Sequence, residues 1–508
     1  MSTNRSEAAA SSGNSPGNQG ILGASERPTR ARYVLMFFLA TLAFLTYFDR
    51  ICITKMQGKI SASLGMDEAQ MGLIMGAFWL AYALFELPTG WMGDVHGARV
   101  TLARIVVAWS LFTALSGSAS GFFSLFIYRF LFGVGEAGAF PNMARIQSRW
   151  LPADTRARFG GLLWMFARWG GAFSIPLAGF LMRFFDSPTF REPLGALPLP
   201  AWIAGSEPWR WTFWTAGLMG VAWVIAFYFW FRDHPSEKAS VNRAELELIT
   251  RGNPPEVRGH SMERSMWGLL FTNRSLLALG MLYLCGSFGW SFFASWMPKY
   301  INEVVLAKSV SSDGSAAAKS PPTAPQSGAS ADDATAAVRA EIRSEWMAAA
   351  PHLCGGITCL LGGVLCNLWV AKTGNRRTGR AIFPVTGYIV AAGAMFCVPL
   401  VESPAQATIL ICIAEAAHDF GQGANWASIV DIGGKYAGVA AGMINTIGNM
   451  GNAFQPYIGA RIKEAYGWNT VFVVYSIAFL LAACMWIIID PRKTFYGDPV
   501  ELKNFRHR

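Results

Sequence analysis

An arginine and a glutamate stand inside a long apolar stretch: Arg129 and Glu136, within Gly121–Arg145. They are seven residues apart, so on a helix they share one face, about 10 Å apart along the axis. A charge in a bilayer core costs at least about 3 kcal/mol. Two such charges persist only where they face protein or a water-filled path. They could line a route for a solute or a proton, or form an internal ion pair that only holds helices together. Other polar groups in apolar surroundings favour the route. Asp49 and Arg50 end the first apolar segment, and Arg168 lies in the fifth. Glu415, His418, Asp419, Gln422 and Trp426 recur in the tenth at spacings that place them on one stripe. Asn445, Asn449 and Asn452 share a face of the eleventh.

The elements that must position these residues are membrane helices. The 508 residues are 53% hydrophobic and only 15% charged, against about 25% charged in soluble domains. Apolar runs of membrane-spanning length begin near Arg32, Gln70, Val100, Phe122, Phe159, Trp211, Leu269, Trp346, Ala381, Gln406, Tyr436 and Trp468. They are continuous rather than alternating, which argues against a β-barrel. The expected fold is an all-α polytopic membrane protein with about twelve transmembrane helices. The eight cysteines lie in or beside these segments without zinc-like spacing, and read as buried free thiols.

The net charge of +10 is distributed as a topology signal rather than a nucleic-acid surface. Arg145, Arg149, Arg156 and Arg158 cluster after segment four; Lys372, Arg376, Arg377 and Arg380 cluster after segment eight. The loops after segments three and nine hold no Lys or Arg. By the positive-inside rule both termini are cytoplasmic and the protein sits in the cell membrane. Residues 1–31 read as a disordered tail, with no cleavable signal peptide. Residues 32–231 form a first six-helix half, 232–267 a charged cytoplasmic linker, and 268–490 a second half. An Ala/Ser/Pro-rich extracytoplasmic insertion at 306–343 reads as disordered or weakly helical, and 491–508 form a second cytoplasmic tail.

Depth follows from helix rise. Entering from the cytoplasm near Arg32, Asp49 lies about 25 Å along segment one; entering from outside near Phe122, Arg129 lies about 10 Å deep. The depths match, so Asp49 and Arg129 can pair, with Glu136 deeper. Burial and a neighbouring arginine pull a carboxylate's proton affinity in opposite directions, and that competition suits a proton carrier. The expectation is that Asp49 releases Arg129 on protonation and that Glu136 is the main coupling site. The alternative for Asp49 and Arg50 is a helix end whose charges snorkel to water. Arg168 lies near mid-membrane and offers a fork of donors to a substrate carboxylate; alternatively it permanently neutralises Glu136. His418 could relay protons or bond hydroxyls. One histidine beside two carboxylates is too little for a metal site, and no cofactor is expected. For Asn449 and Asn452 the alternative is packing between helices.

The loop after segment two reads Gly90-Trp-Met-Gly-Asp94-Val-His-Gly97-Ala-Arg99. It resembles the G-x-x-x-D-R-x-G-R-R loop of the major facilitator superfamily, with Val95 and Ala98 in place of basic residues. A weaker echo, Gly363-x-x-x-Asn367, follows segment eight, with Asn where the motif has Asp, so the second gate should depend less on charge. Tyr47-Phe-Asp49-Arg50, Arg129-Phe-Leu-Phe-Gly-Val-Gly-Glu136, Arg149-Trp150-Leu-Pro152, Trp209-Arg-Trp211 and Ser295-Trp296-Met-Pro298 together resemble the anion:cation symporter branch. That branch includes galactonate, glucarate, hexuronate and sialic acid transporters. The resemblance covers about Ala31–Pro491 and implies two pseudo-symmetric six-helix bundles.

It also implies roles. Asp49 and Glu136 handle protons, Arg50 and Arg129 hold an organic anion, and Trp426 and Asn445 match positions that contact the sugar. Tyr47 stands where it could stack on substrate. Gly90, Asp94, Gly97 and Arg99 form the gating loop.

The resulting expectation is proton-coupled symport of an organic anion, a sugar acid, by a monomer in the bilayer. An organophosphate:phosphate exchanger would want arginines on helices one and seven, and Leu277–Trp296 has none. A non-transporting solute sensor would need no gate motif. An enzyme ranks last, since no clustered nucleophile–base pair, phosphate loop or metal signature is evident.

Overall fold

In a bilayer each backbone polar group must find its partner inside the protein, so long apolar runs become helices. The computed structural model describes residues 27–152, 156–198, 200–250, 264–301, 303, 331–433 and 437–497. The first half contains α1 (Ala31–Leu64), α2 (Glu68–His96), α3 (Ala98–Ser116), α4 (Phe122–Glu136), α5 (Ala139–Trp150), α6 (Arg156–Asp186) and α7 (Pro208–Trp230). A short helix, α8 (Arg243–Thr250), lies between the halves. The second half contains α9 (Arg274–Ser295), α10 (Ala331–Thr373), α11 (Arg376–Cys397), α12 (Pro404–Phe420), α13 (Gln422–Gly433) and α14 (Ala437–Cys484).

Nine stretches among the described residues are long and apolar enough to cross a membrane. The α14 stretch holds two crossings, because Gly467 at φ +77° breaks it. Helix α6 and the α12–α13 pair supply the remaining two, and no β-strand occurs among the described residues. Phe123, Phe229 and Leu368 face outward and exposed, as a lipid-facing surface requires. Cys484 is also exposed, unlike the buried thiol expected there.

Helix ends are set locally. Asp67 and Gln70 form a reciprocal cap at the start of α2. Asn273 accepts from Ser275 N and Leu276 N at the start of α9. Two limits differ from the sequence reading. Helix α1 does not end at Asp49-Arg50 but runs on to Leu64, so both charges are mid-helix and buried rather than snorkelling to water. Helix α10 starts at Ala331, so the end of the expected insertion is regular helix continuous with the crossing. The remainder of that insertion, the first 26 residues, 251–263 of the linker and 498–508 lie outside the described residues.

Within the first half α1 packs on α6, α3 on α7, and α4 on α2 and α3. Within the second α9 packs on α14, and α12 on α10 and α11. The halves meet along two seams, α2 against α14 and α6 against α10. Glycine permits the first seam: a Cβ on Gly72 would lie 2.7 Å from the Pro456 carbonyl oxygen, and Gly76 likewise abuts Ala453. Crossings alternate in direction, so the start of α1, the α2–α3 turn and α8 share one side, here the linker side. The α1–α2 turn and the start of α10 share the other, the distal side.

Candidate functional site

Arg50 projects from mid-α1 toward α4. Its Nε and Nη2 both lie 2.7 Å from Glu136 Oε1. Rings surround the guanidinium: Tyr82 at 4.6 Å, Tyr47 at 5.0 Å, Phe78 and Trp79 at 5.3 Å, and Phe140 at 5.7 Å. Each ring face adds attraction for the cation. Glu136 Oε2 has no hydrogen-bond partner among the described residues. A buried carboxylate with one oxygen paired and one free can accept a proton without first rearranging.

The side-chain pairing expected between Asp49 and Arg129 is not formed. Arg129 instead donates, at a long 3.5 Å, to the main-chain carbonyls of Asp49 and Arg50. Its guanidinium lies 4.5 Å over Phe132. The matching depths do bring the residues together, and Asp49 is buried, 1% exposed, without a salt bridge to Arg129.

A second polar centre occupies the seam between α6 and the second half. Arg168 Nη2 lies 2.7 Å from Asp419 Oδ1, and its guanidinium lies 4.7 Å from the Trp290 ring. Arg168 therefore does not neutralise Glu136. It points across the seam, where Asp419 is nearer. The same Asp419 oxygen lies 3.0 Å from His418 Nδ1, and Gln422 Nε2 lies 3.1 Å from His418 Nε2. With the amide nitrogen donating, Nε2 accepts and the ring proton sits on Nδ1, facing Asp419. One turn along α12, Glu415 Oε1 hydrogen-bonds His352 Nδ1 of α10. Gly355 makes room for both acids: a Cβ there would lie 2.5 Å from Asp419 Oδ2 and 3.3 Å from Glu415 Cγ.

The seam between α2 and α14 carries a third polar link. Asn445 Nδ2 donates to Glu86 Oε1 at 3.2 Å. Asn449 accepts from Asn452 at 3.2 Å, so it bonds within its own helix. Trp426 is 38% exposed, and Tyr47 is buried against Arg50 and Phe140. Sequence reasoning missed Glu86 and His352. Both were detectable by the argument that found Glu136, since each is a polar residue alone in an apolar run.

The gating loop is partly described. Gly97 takes φ +85°, which a side chain rarely adopts, and turns α2 into α3. Arg99 N donates to Asp233 Oδ1 at 3.0 Å, and its guanidinium donates to the Tyr228 carbonyl. Gly90 and Asp94 lie within α2, and the side chain of Asp94 is outside what the structure describes. The echo after α10, where a lower dependence on charge was expected, has an acid nearby from another helix. Arg380 donates to Asn367 at 3.2 Å and also to Asp431 at 3.1 Å, so α13 supplies the acid that the loop lacks.

On the distal side, ion pairs tie the halves together. Glu345 of α10 takes Lys55 at 2.9 Å and Arg183 at 2.6 Å. Glu68 of α2 takes Lys299 at 2.7 Å and Lys463 at 2.8 Å. Between the halves, Arg50, Arg129, Trp79 and Ser295 line a cavity of only about 10 Å³, room for about one water. A larger groove, about 470 Å³, lies on the outer face among Trp369, Lys372, Phe383 and Phe420 and includes none of these polar centres.

Residues 39–320 match the sequence pattern of the Major Facilitator Superfamily. The chain is 25% identical to a probable sulfoacetate transporter of Cupriavidus necator, covering 94% of this chain and 98% of that one. It is 26% identical to a probable galactarate/D-glucarate transporter of Bacillus subtilis, covering 92% and 94%. These relatives agree with the sugar-acid branch that the motifs indicated. Its fold matches a solved bacterial homolog of the human lysosomal transporter Spinster, in an inward-facing and unoccupied conformation. The TM-score is 0.68 at 19% identity, covering 90% of this chain and 96% of that one, a likeness of fold alone.

Proposed function

We propose that this chain, an integral membrane transporter that belongs to the Major Facilitator Superfamily and not an enzyme, carries a small organic anion together with protons by alternating access. The anion is a sugar acid. The observation that carries this reading is the pair of buried arginines, Arg50 and Arg168, each already matched by a buried carboxylate. A buried ion pair is a poor way to gain stability. It is a good way to hold a cation ready for exchange. A substrate carboxylate can replace the protein's own acid, and a proton can release that acid from the arginine.

In this reading Arg168 takes the substrate carboxylate from Asp419, and His418 passes a proton along the same stripe. Glu136 holds Arg50 when the carrier is empty and lets it go when protonated, with Asp49 beside it. Net uptake needs the empty carrier to return, and that return needs Glu136 deprotonated and paired with Arg50. Arg129 adds positive potential to the site. Tyr47, Gln422, Trp426, Asn445 and Asn449 meet the hydroxyls. The linker side is cytoplasmic and carries both termini, the membrane is the cell membrane, and the protein works as a monomer. The distal ion pairs then close the outer side.

The test is uptake of galactonate, galactarate and sulfoacetate by proteoliposomes under an imposed proton gradient, with Glu136→Gln beside wild type. Gradient-driven accumulation in wild type, reduced to bare exchange by the substitution, is the expected result. Uptake indifferent to the gradient would remove the proton from the mechanism.

A further inference from the structure

The α10–α12 contact contains a buried pair that the exchange at Arg168 does not use. His352 and Glu415 are 1% and 0% exposed, and hydrogen-bond each other through Nδ1 and Oε1. His352 Nε2 and Glu415 Oε2 have no hydrogen-bond partner among the described residues. The pair is not sealed inside the second half. A Cβ on Gly171 of α6 would lie 3.8 Å from both His352 Cδ2 and Tyr47 Cδ1. The imidazole therefore lies at the seam that opens and closes.

Charge counting shows what the pair is for. At rest the centre holds Arg168 and Asp419, one charge of each sign. A substrate carboxylate arriving at Arg168 leaves Asp419 without its partner and adds one buried negative charge. An uncompensated buried charge costs several kcal/mol. Protonation of Glu136 frees the charge of Arg50 in the other half, so it leaves the negative charge beside Asp419 without a counter-charge in its own half.

We propose that His352 and Glu415 form a second proton-binding site, in the second half of the chain, loaded together with the substrate anion. This rests on the symport reading above. At rest the imidazole holds one proton on Nε2 and shares a second with Glu415 along the Nδ1–Oε1 bond, so the pair is neutral. Loading adds a third, taken from the distal solution, so that both imidazole nitrogens and the carboxyl are protonated. The pair gains one positive charge and offsets the arriving anion. Opening to the linker side releases the anion and that proton together, and Asp419 returns to Arg168.

Several groups face the pair. Arg168 reaches it from α6 and Tyr47 from α1. His418 and Asp419 stand one turn away on α12, and Tyr388 of α11 lies 5.6 Å from the His418 ring. Trp290 of α9 lies 6.3 Å from the His352 ring. Arg168 is the only fixed cation among these, which leaves the pair as the place where a mobile positive charge can be added.

The experiment counts protons per substrate in proteoliposomes, with an internal pH dye and labelled galactonate or galactarate. Wild type is expected to move one proton more per substrate than Glu415→Gln or His352→Gln, whichever anion is carried. Both variants should still accumulate substrate, which separates them from Glu136→Gln. An equal ratio in all three proteins overturns the proposal while leaving symport intact. If none of these anions is carried, symport of these anions fails and the site is still tested. Infrared difference spectra of the purified protein between acid and alkaline pH should then show a carboxyl band lost in Glu415→Gln and shifted in His352→Gln. Spectra unchanged by both substitutions overturn it.

Discussion

Arg168 and Asp419 are 251 residues apart in sequence and 2.7 Å apart in space, and each belongs to a different half of the molecule. Helices α6 and α12, in opposite halves, are therefore joined by a buried charge pair. In the exchange proposed above, an anion that binds Arg168 would loosen the link between the halves, and binding and movement would share one contact.

Asp419→Asn should raise affinity for the transported anion, because the resident competitor for Arg168 is gone. Truncating one partner of a buried charge pair typically changes energies by about 3–5 kcal/mol, enough for at least a tenfold fall in Kd. Turnover should drop as release slows. Calorimetric titration of the purified variant with galactarate checks the affinity; an unchanged Kd would show that Asp419 does not compete with substrate.

Arg50→Lys keeps the charge but loses the paired nitrogens on Glu136 and the flat contact with Tyr82 and Tyr47. A hydrogen bond to a charged group contributes about 1.5–3 kcal/mol. Uptake should fall about tenfold or more, with folding retained. Uptake equal to wild type would mean that any cation serves at this position.

Glu345→Gln should favour the state open on the distal side, because Glu345 holds both Lys55 and Arg183. Spin labels at Ala62 and Val338 would report this as a longer distance population, in a background without the exposed Cys484. Distances that match the parent protein would show that the ion pairs do not hold that side shut.

Gly97→Ala places a side chain where φ is +85° and sets its Cβ 2.9 Å from Asp233 Oδ2. With ψ at 152° the backbone lies in a region essentially kept to glycine, costing about 1–3 kcal/mol for a residue with a Cβ, and the clash disturbs the Asp233 contact that starts α3. A lower Tm than wild type is expected. Asp431→Asn removes the Arg380 partner at the second loop without backbone strain. It should slow transport while leaving Tm nearly unchanged.

Hydropathy is a local property, and so the crossings were legible along the chain: twelve segments, and polar residues that could not face lipid. The same reasoning pointed to Glu136, Arg168 and the stripe from Glu415 to Gln422, because the cost of a charge in hydrocarbon does not depend on the fold. Partners are a different kind of information. Equal depth allowed Asp49 to meet Arg129, yet α1 turns Arg50 toward Glu136 and leaves Arg129 on main-chain carbonyls. Helix rise fixes depth, while rotation about each helix axis is set by packing against neighbours. His352 shows the limit most clearly. It follows Pro351 in an apolar run and carries no motif; only the approach of α10 to α12 gives it Glu415, and only the seam with α6 brings it beside Tyr47. Which residues are buried and polar was a matter of sequence; which of them share a proton or a charge was decided by how the helices are turned against one another.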